Sequence, residues 1–506
     1  MPGHVTHVTT RGSTLRRVAS NKAESAALDS VPTGLLIGGR WRRTSKRFDV
    51  TDPATGARIA EVADATPADA RAAINAAAKA QPEWGKFPPR ERGEILRRAF
   101  EKVISRADQL ALLMTLEMGK PIAESKAEVT YAAEFLRWFS EEAVRIEGRY
   151  QVAATGKGRI LTMAQPVGPC LLITPWNFPM AMGTRKIGPA IAAGCTMIIK
   201  PAGLTPLSML ALAGILEESG LPPGVLNVLT TSKTADVVQP IITDPRLRKV
   251  SFTGSTEVGQ KLMQQAAGNV LRVSMELGGN APFLVFEDAD LDAAVDGAMV
   301  AKMRNIGEAC TAANRFHVAE PVADEFARRL AERMGKLKIG RGTRKDVQVG
   351  PLVNEDQRQK VIELVDDARS KGARVLLGGA AVKGKGYFYQ PTVLIDVPAR
   401  ARMLKEEIFG PVAPVTTFKT EAEAIAAAND TEFGLVAYVY TRDLKRALRV
   451  CEALETGMIG LNQGIVSNAG APFGGVKQSG VGREGGSEGI REYLEVKYIA
   501  VNTDLD

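Results

Sequence analysis

Between residues 169 and 276 short apolar runs alternate with amphipathic stretches. Runs at 169–174, 196–200, 225–229 and 249–253 read as strands. Between them, 180–192, 206–219 and 235–243 read as helices, and a further helix opens at Ser255. Short apolar strands separated by helices predict a parallel, doubly wound α/β sheet. A second alternating region, from about 283 to 465, predicts another α/β domain. Upstream, a strand begins at Leu35, and residues 52–56 (Asp-Pro-Ala-Thr-Gly) form a turn. Thr66 is an N-cap with Pro67 at the first helical position, for a helix running to about Gln81. Residues 90–118 and 121–147 have helical periodicity. Residues 159–165 and 493–502 read as strands without a helix to cover them.

Composition narrows the class. The chain has 506 residues with 45% hydrophobic and 24% charged positions, ordinary for a globular protein. No apolar run reaches membrane-spanning length, so no membrane is expected. The net charge of +8 is concentrated at the start: residues 1–47 hold nine Lys/Arg against Glu24 and Asp29. Such a basic lead is a solvated arm rather than a nucleic-acid surface, and no nucleic-acid partner is expected. The first 30 residues lack a hydrophobic signal run. Their Arg/Ser-rich start shares features with organellar transit peptides, so the reading is a cytoplasmic protein, with the mitochondrial matrix as the alternative.

Four cysteines (Cys170, Cys195, Cys310, Cys451) lie far apart, with no C-x-x-C pair, and the only histidines are His4, His7 and His317. No metal site is expected, and His-based nucleophile activation has almost no candidates. The Phe252–Gly259 segment, Phe-Thr-Gly-Ser-Thr-Glu-Val-Gly, carries a strand into a helix start, where backbone N–H groups suit a pyrophosphate. Its G-x-x-x-x-G spacing is neither the usual dinucleotide fingerprint nor a P-loop, and by itself a plain tight turn is the better reading. Lys200 ends a strand at the carboxyl edge of the same sheet. Cys310 follows polar, turn-like residues that suit an accessible thiol, whereas Cys170 and Cys195 sit in apolar contexts. Glu276 precedes two glycines, and the Asn177 amide is placed either to donate to a developing oxyanion or to cap a turn.

Taken in order, Pro175-Trp176-Asn177-Phe178-Pro179, Lys200-Pro201-Ala202, Phe252-Thr253-Gly254-Ser255, Glu276-Leu277-Gly278-Gly279, Gly307-x-x-Cys310, Glu406-Glu407-Ile408-Phe409-Gly410-Pro411 and Pro472-Phe473-Gly474-Gly475 resemble the aldehyde dehydrogenase superfamily from about Leu35 to Tyr498. The resemblance implies that Cys310 attacks an aldehyde and that Asn177 and the Cys310 N–H hold the oxyanion. It further implies hydride transfer to NADP or NAD, and hydrolysis of the thioester with Glu276 as general base. Trp176, Lys200, Gly254, Ser255, Glu407 and Phe409 would bind the cofactor.

The resemblance also implies a Rossmann-like cofactor domain (34–148 and 165–282), a catalytic domain (283–480) and a small β oligomerisation element (149–164 and 481–506). These follow a flexible extension (1–33), and the assembly expected is a homodimer or homotetramer.

Three departures from the pattern carry consequences. Gly203 stands where many members have a ribose-binding Glu, which points to NADP over NAD. Glu308 replaces Gln, and would raise the Cys310 pKa if it faced the sulfur. Ala312 stands two positions after the nucleophile, so no local disulfide can form there. Arg185 and Arg304 occupy positions where many members carry pocket aromatics. A buried guanidinium calls for an anion, so with Ser467 they predict an aldehyde bearing a carboxylate, a pattern similar to succinate-semialdehyde dehydrogenases. For the arginines the alternative is that one pairs with a protein carboxylate. For the function, the alternatives are glutarate semialdehyde as substrate, a CoA-acylating dehydrogenase and a non-catalytic cofactor-binding protein of the same fold.

Overall fold

The computed structural model describes residues 21–502. Its first large sheet has eight strands. Five of these are parallel and lie side by side in the order Leu226–Val228, Met197–Lys200, Cys170–Ile173, Lys249–Thr253 and Arg272–Glu276. Numbered along the chain, that is 3-2-1-4-5, the dinucleotide-binding order. The order reverses between Cys170–Ile173 and Lys249–Thr253, so their carboxyl ends open a crevice.

The pattern that predicted these strands also explains their burial. Cys170 and Leu172 pack into one hydrophobic layer, Leu171 and Ile173 into the other. Both faces are therefore covered, which is why the runs are continuously apolar. The intervening helices, Ala181–Ala193, Leu207–Glu218 and Thr234–Ile242, match the predicted ones to within one or two residues. Helix Pro67–Trp84 opens on a capping box, with the Thr66 side chain and the Asp69 carboxylate each accepting from the other's backbone N–H.

A second, seven-stranded sheet runs Arg374–Leu377, Thr392–Ile395, Val412–Phe418, Ala313–Ala319, Ala281–Val285, Val436–Tyr440, Met458–Leu461. All its pairings except the first are parallel. Alternate residues again serve different layers: Phe283 and Val285 in one, Leu284 and Phe286 in the other. The strands predicted to stand apart do so. Leu494–Val501, Arg159–Pro166 and Arg149–Val152 form a separate antiparallel sheet.

Three expectations shift. Residues 22–29 of the supposed flexible extension form a helix, tied down because buried Glu24 meets Arg341 at 2.9 Å and Leu28 packs into the core; residues 1–20 lie outside the described residues. The 90–118 stretch is two helices, Pro89–Ser105 and Ala107–Met118, broken at Arg106. Gly480, assigned to the catalytic domain, and Val481, assigned to the oligomerisation element, both join the cofactor sheet beside Arg272–Glu276. Gly480 permits this approach, since a Cβ there would overlap the Met275 carbonyl oxygen.

Candidate active site

The crevice at the sheet reversal is lined by Trp176, Asn177, Gly254, Ser255, Cys310, Glu407 and Phe409, and it encloses about 200 Å³. Four separate stretches of chain thus bring seven of the residues singled out from sequence into one cavity. The Gly254 turn and the Cys310 thiol face the same space.

The anion-binding end follows from two close approaches. Ser255 is the N-cap of helix Thr256–Ala267, and its hydroxyl makes no capping bond. The first-turn N–H groups and the helix dipole therefore point into the crevice. A Cβ on Gly254 would lie 2.4 Å from the Phe252 ring, and one on Gly259 2.4 Å from Leu277 Cδ2. The G-x-x-x-x-G spacing is thus a tight turn plus close helix–strand packing. Lys200 is 6% exposed, and its ammonium donates to Thr234 Oγ1 at 3.1 Å. Burial lowers its pKa to about 8, and no acidic side chain opposes that. Glu407 accepts from the Gly279 N–H at 3.2 Å, and burial raises its pKa to about 7 against the opposing charges of Lys360 and Lys302. Phe409, held at φ 54°, meets Trp176 edge to face at 5.3 Å. These groups fit a dinucleotide: donors for phosphates at one end, a carboxylate midway, aromatic faces beside the thiol.

Cys310 lies beyond a left-handed turn, Asn305 (φ 52°), Ile306 (φ 61°) and Gly307 (φ 76°). A β-branched residue is strained there. The Asn305 amide holds the turn by donating to the carbonyls of Asn177 (3.0 Å) and Glu308 (2.8 Å). The Asn177 amide donates to the Glu308 carbonyl at 3.0 Å. Lys120 bridges the Asn177 carbonyl (2.7 Å) and the Glu128 carboxylate (2.5 Å), whose other oxygen receives the Met180 and Ala181 N–H groups. Glu308 turns away from the sulfur: its Oε1 accepts from the Val353 N–H at 3.1 Å.

The Cys310 thiol is partly exposed. Its burial pushes the pKa up to about 12; Glu407 and Glu276 act in the same direction, Arg185 and Arg304 against it. Glu276 is 3% exposed, and neither carboxyl oxygen has a hydrogen-bond partner among the described residues. Burial, with Glu484 nearby, holds its pKa well above the ordinary carboxylate range. The same burial favours its protonated, uncharged form, and a group of raised pKa is a stronger base once it ionises.

The two arginines part company. Arg185 is fully buried over the Phe473 ring (4.0 Å), with Nε 2.5 Å from Glu484 Oε2. The anion inferred for it from sequence is therefore supplied by the protein, 299 positions away in numbering, and Lys186 shares it at 2.5 Å. Sequence reasoning missed Glu484, and also Lys120, Glu128 and Asn305, because each acts through at least one partner more than 50 residues away in the chain, which nothing local marks. Arg304 is different. It donates to Ser467 Oγ at 2.9 Å and lies over the Phe178 ring at 4.9 Å, and among the described residues no carboxylate pairs with it.

Among the described residues no group of three acidic, His or Cys side chains suits a metal ion, and no helix is long and apolar enough to cross a membrane. A sheet in dinucleotide order, with a reachable thiol at its reversal, is the arrangement of a dinucleotide-dependent oxidoreductase with a sulfur nucleophile at hand. The chain belongs to the aldehyde dehydrogenase family, whose model matches residues 41–499. It is 62% identical to a succinate-semialdehyde dehydrogenase of Paenarthrobacter nicotinovorans, over 88% of this chain and 98% of that protein. It is 51% identical to a glutarate-semialdehyde dehydrogenase of Pseudomonas putida, over 92% and 97%. A solved structure described as an E. coli NADP-dependent enzyme superposes with TM-score 0.92 at 50% identity, covering 94% of this chain and 99% of that one.

Proposed function

We propose that the protein oxidises succinate semialdehyde to succinate with NADP in preference to NAD. In this reading Cys310 Sγ attacks the aldehyde carbon. The Asn177 amide has a second N–H beyond the one given to Glu308, and with the Cys310 N–H it donates to the oxyanion. Bound NADP supplies the hydride acceptor. Lys200, the Ser255 helix start and Glu407 bind and orient it, while Phe409 and Trp176 exclude water beside the thiol. Glu276, its two oxygens unengaged, takes the proton of the water that releases the acid from the thioester.

The observation carrying the substrate is Arg304: a guanidinium whose charge acts on the thiol, with a serine for a partner and no carboxylate among the described residues. A terminal carboxylate on the substrate completes that pairing. Glutarate semialdehyde carries the same group one methylene further, and the 51% relative favours keeping it as the second reading. For the cofactor, Gly203 leaves no carboxylate beside Lys200, so a buried ammonium with only a hydroxyl partner is ready for a 2′-phosphate. The unpaired sheet that contains Leu494–Val501 supports a dimer or tetramer, and four free thiols support a reducing, cytoplasmic setting.

The test is a panel crossing succinate semialdehyde, glutarate semialdehyde and butanal with NADP and NAD. Succinate semialdehyde with NADP should give the highest kcat/KM, and Cys310→Ala should abolish turnover. Equal kcat/KM for butanal would sink the arginine argument.

A further inference from the structure

We infer that the hydroxyl of Tyr131 is a specificity-determining donor to the substrate's far carboxylate, completing a subsite with Arg304 and Ser467; this rests on the carboxylate reading above. Tyr131 projects from helix Ile122–Glu142. Its hydroxyl is buried and has no hydrogen-bond partner among the described residues. A phenol O–H shut away from water is held at a cost unless an acceptor meets it.

Three observations place that acceptor at the subsite. The Arg304 guanidinium lies 5.7 Å from the Tyr131 ring centroid. Tyr131 and Ser467 line the same groove. Arg304 in turn donates to Ser467 Oγ at 2.9 Å. The ring itself is fixed edge-on against Phe135 at 4.9 Å, so the hydroxyl is aimed rather than free to swing. An orphan hydroxyl alone would not suffice: Tyr440 has one too, but it packs against Gly297, with no cation beside it.

Arg185 is ion-paired through Nε to Glu484, while its Nη2 also lacks a hydrogen-bond partner among the described residues; the Tyr131 hydroxyl is the uncharged donor beside Arg304 whose hydrogen-bonding capacity is unspent. All three groups then act on the same anion: a guanidinium, an aliphatic hydroxyl and a phenol. None of them takes part in bond making at the aldehyde.

Tyr131→Phe removes the donor and keeps the ring. With NADP saturating, KM for succinate semialdehyde should rise roughly ten- to hundredfold, the range for a hydrogen bond to a charged group, with kcat within about twofold. The kcat/KM for butanal should not move, and the thermal midpoint of the free protein should hold or rise, since an unpartnered buried hydroxyl is removed. Equal losses on both aldehydes would mean the ring merely packs, and no change on either would mean the hydroxyl is idle; both overturn the assignment. Should the unmodified enzyme itself show no preference for the charged aldehyde, the carboxylate reading fails first and takes this subsite with it. That outcome is distinct from a charge-selective enzyme indifferent to Tyr131→Phe.

Discussion

At the scale of single residues, the site sets a thiol and a carboxyl against their own ionisation. Burial and the charges of Glu407 and Glu276 outweigh Arg185 and Arg304, so the free thiol of Cys310 is held up at about 12. A raised thiol pKa means that the reactive thiolate is scarce at neutral pH and grows about tenfold per unit as pH rises. Alkylation of Cys310 by iodoacetamide in the cofactor-free protein should therefore be slow at pH 7 and climb without a plateau up to pH 10. A plateau below pH 8 would show that the thiolate is stabilised in the resting site. The individual actors were legible in the sequence because each falls in a short motif of fixed spacing. Their electrostatic balance was not. It depends on Glu484, Lys186 and Arg483 approaching Glu276 from distant parts of the chain.

At the scale of elements, helix Thr256–Ala267 shows why a weak motif becomes a site. The glycine pair looked like an ordinary turn because its spacing fits no standard phosphate loop. In the fold, Gly259 lets the helix settle onto Leu277, next to Glu276, so the helix start and the base are held by one contact. Gly259→Ala would press a methyl group against the Leu277 side chain, an overpacking cost of about 1–3 kcal/mol. The thermal midpoint should fall, and NADP should bind several-fold more weakly by calorimetric titration. An unchanged dissociation constant would show that the helix position is immaterial to the cofactor. Element boundaries were readable where local chemistry sets them, as at the Thr66–Asp69 capping box. They were not readable at Arg106. Helical periodicity runs through that position unbroken, while the Arg106 side chain pairs with Glu218 of a distant helix.

At the scale of the whole molecule, the antiparallel sheet of 149–166 and 494–501 is the feature left incomplete. Val496 and Tyr498 are 73% and 61% exposed on the last strand. Apolar side chains so displayed on a sheet edge invite pairing with another copy. Val496→Lys with Tyr498→Lys should therefore lower the mass seen by sedimentation, leaving the absorbance signature of the folded core intact. An unchanged mass would show that this edge is not an interface between copies. The same scale explains why a domain boundary drawn between 480 and 481 falls inside a strand of the cofactor sheet. A two-residue strand has too little pattern to announce its sheet, and only Gly480's fit against Met275 puts it there.

The sequence by itself determined the fold class, the strand and helix order, and the residues able to do sulfur chemistry. Those properties reside in local periodicity, turn chemistry and short motifs. Only the tertiary structure decided which charges meet. It gave Arg185 a carboxylate from 299 residues away, left Arg304 with a serine, turned Glu308 from the sulfur and stranded the Tyr131 hydroxyl. The physical reason is that a charge's partner is set by distance in space, which a linear pattern does not encode.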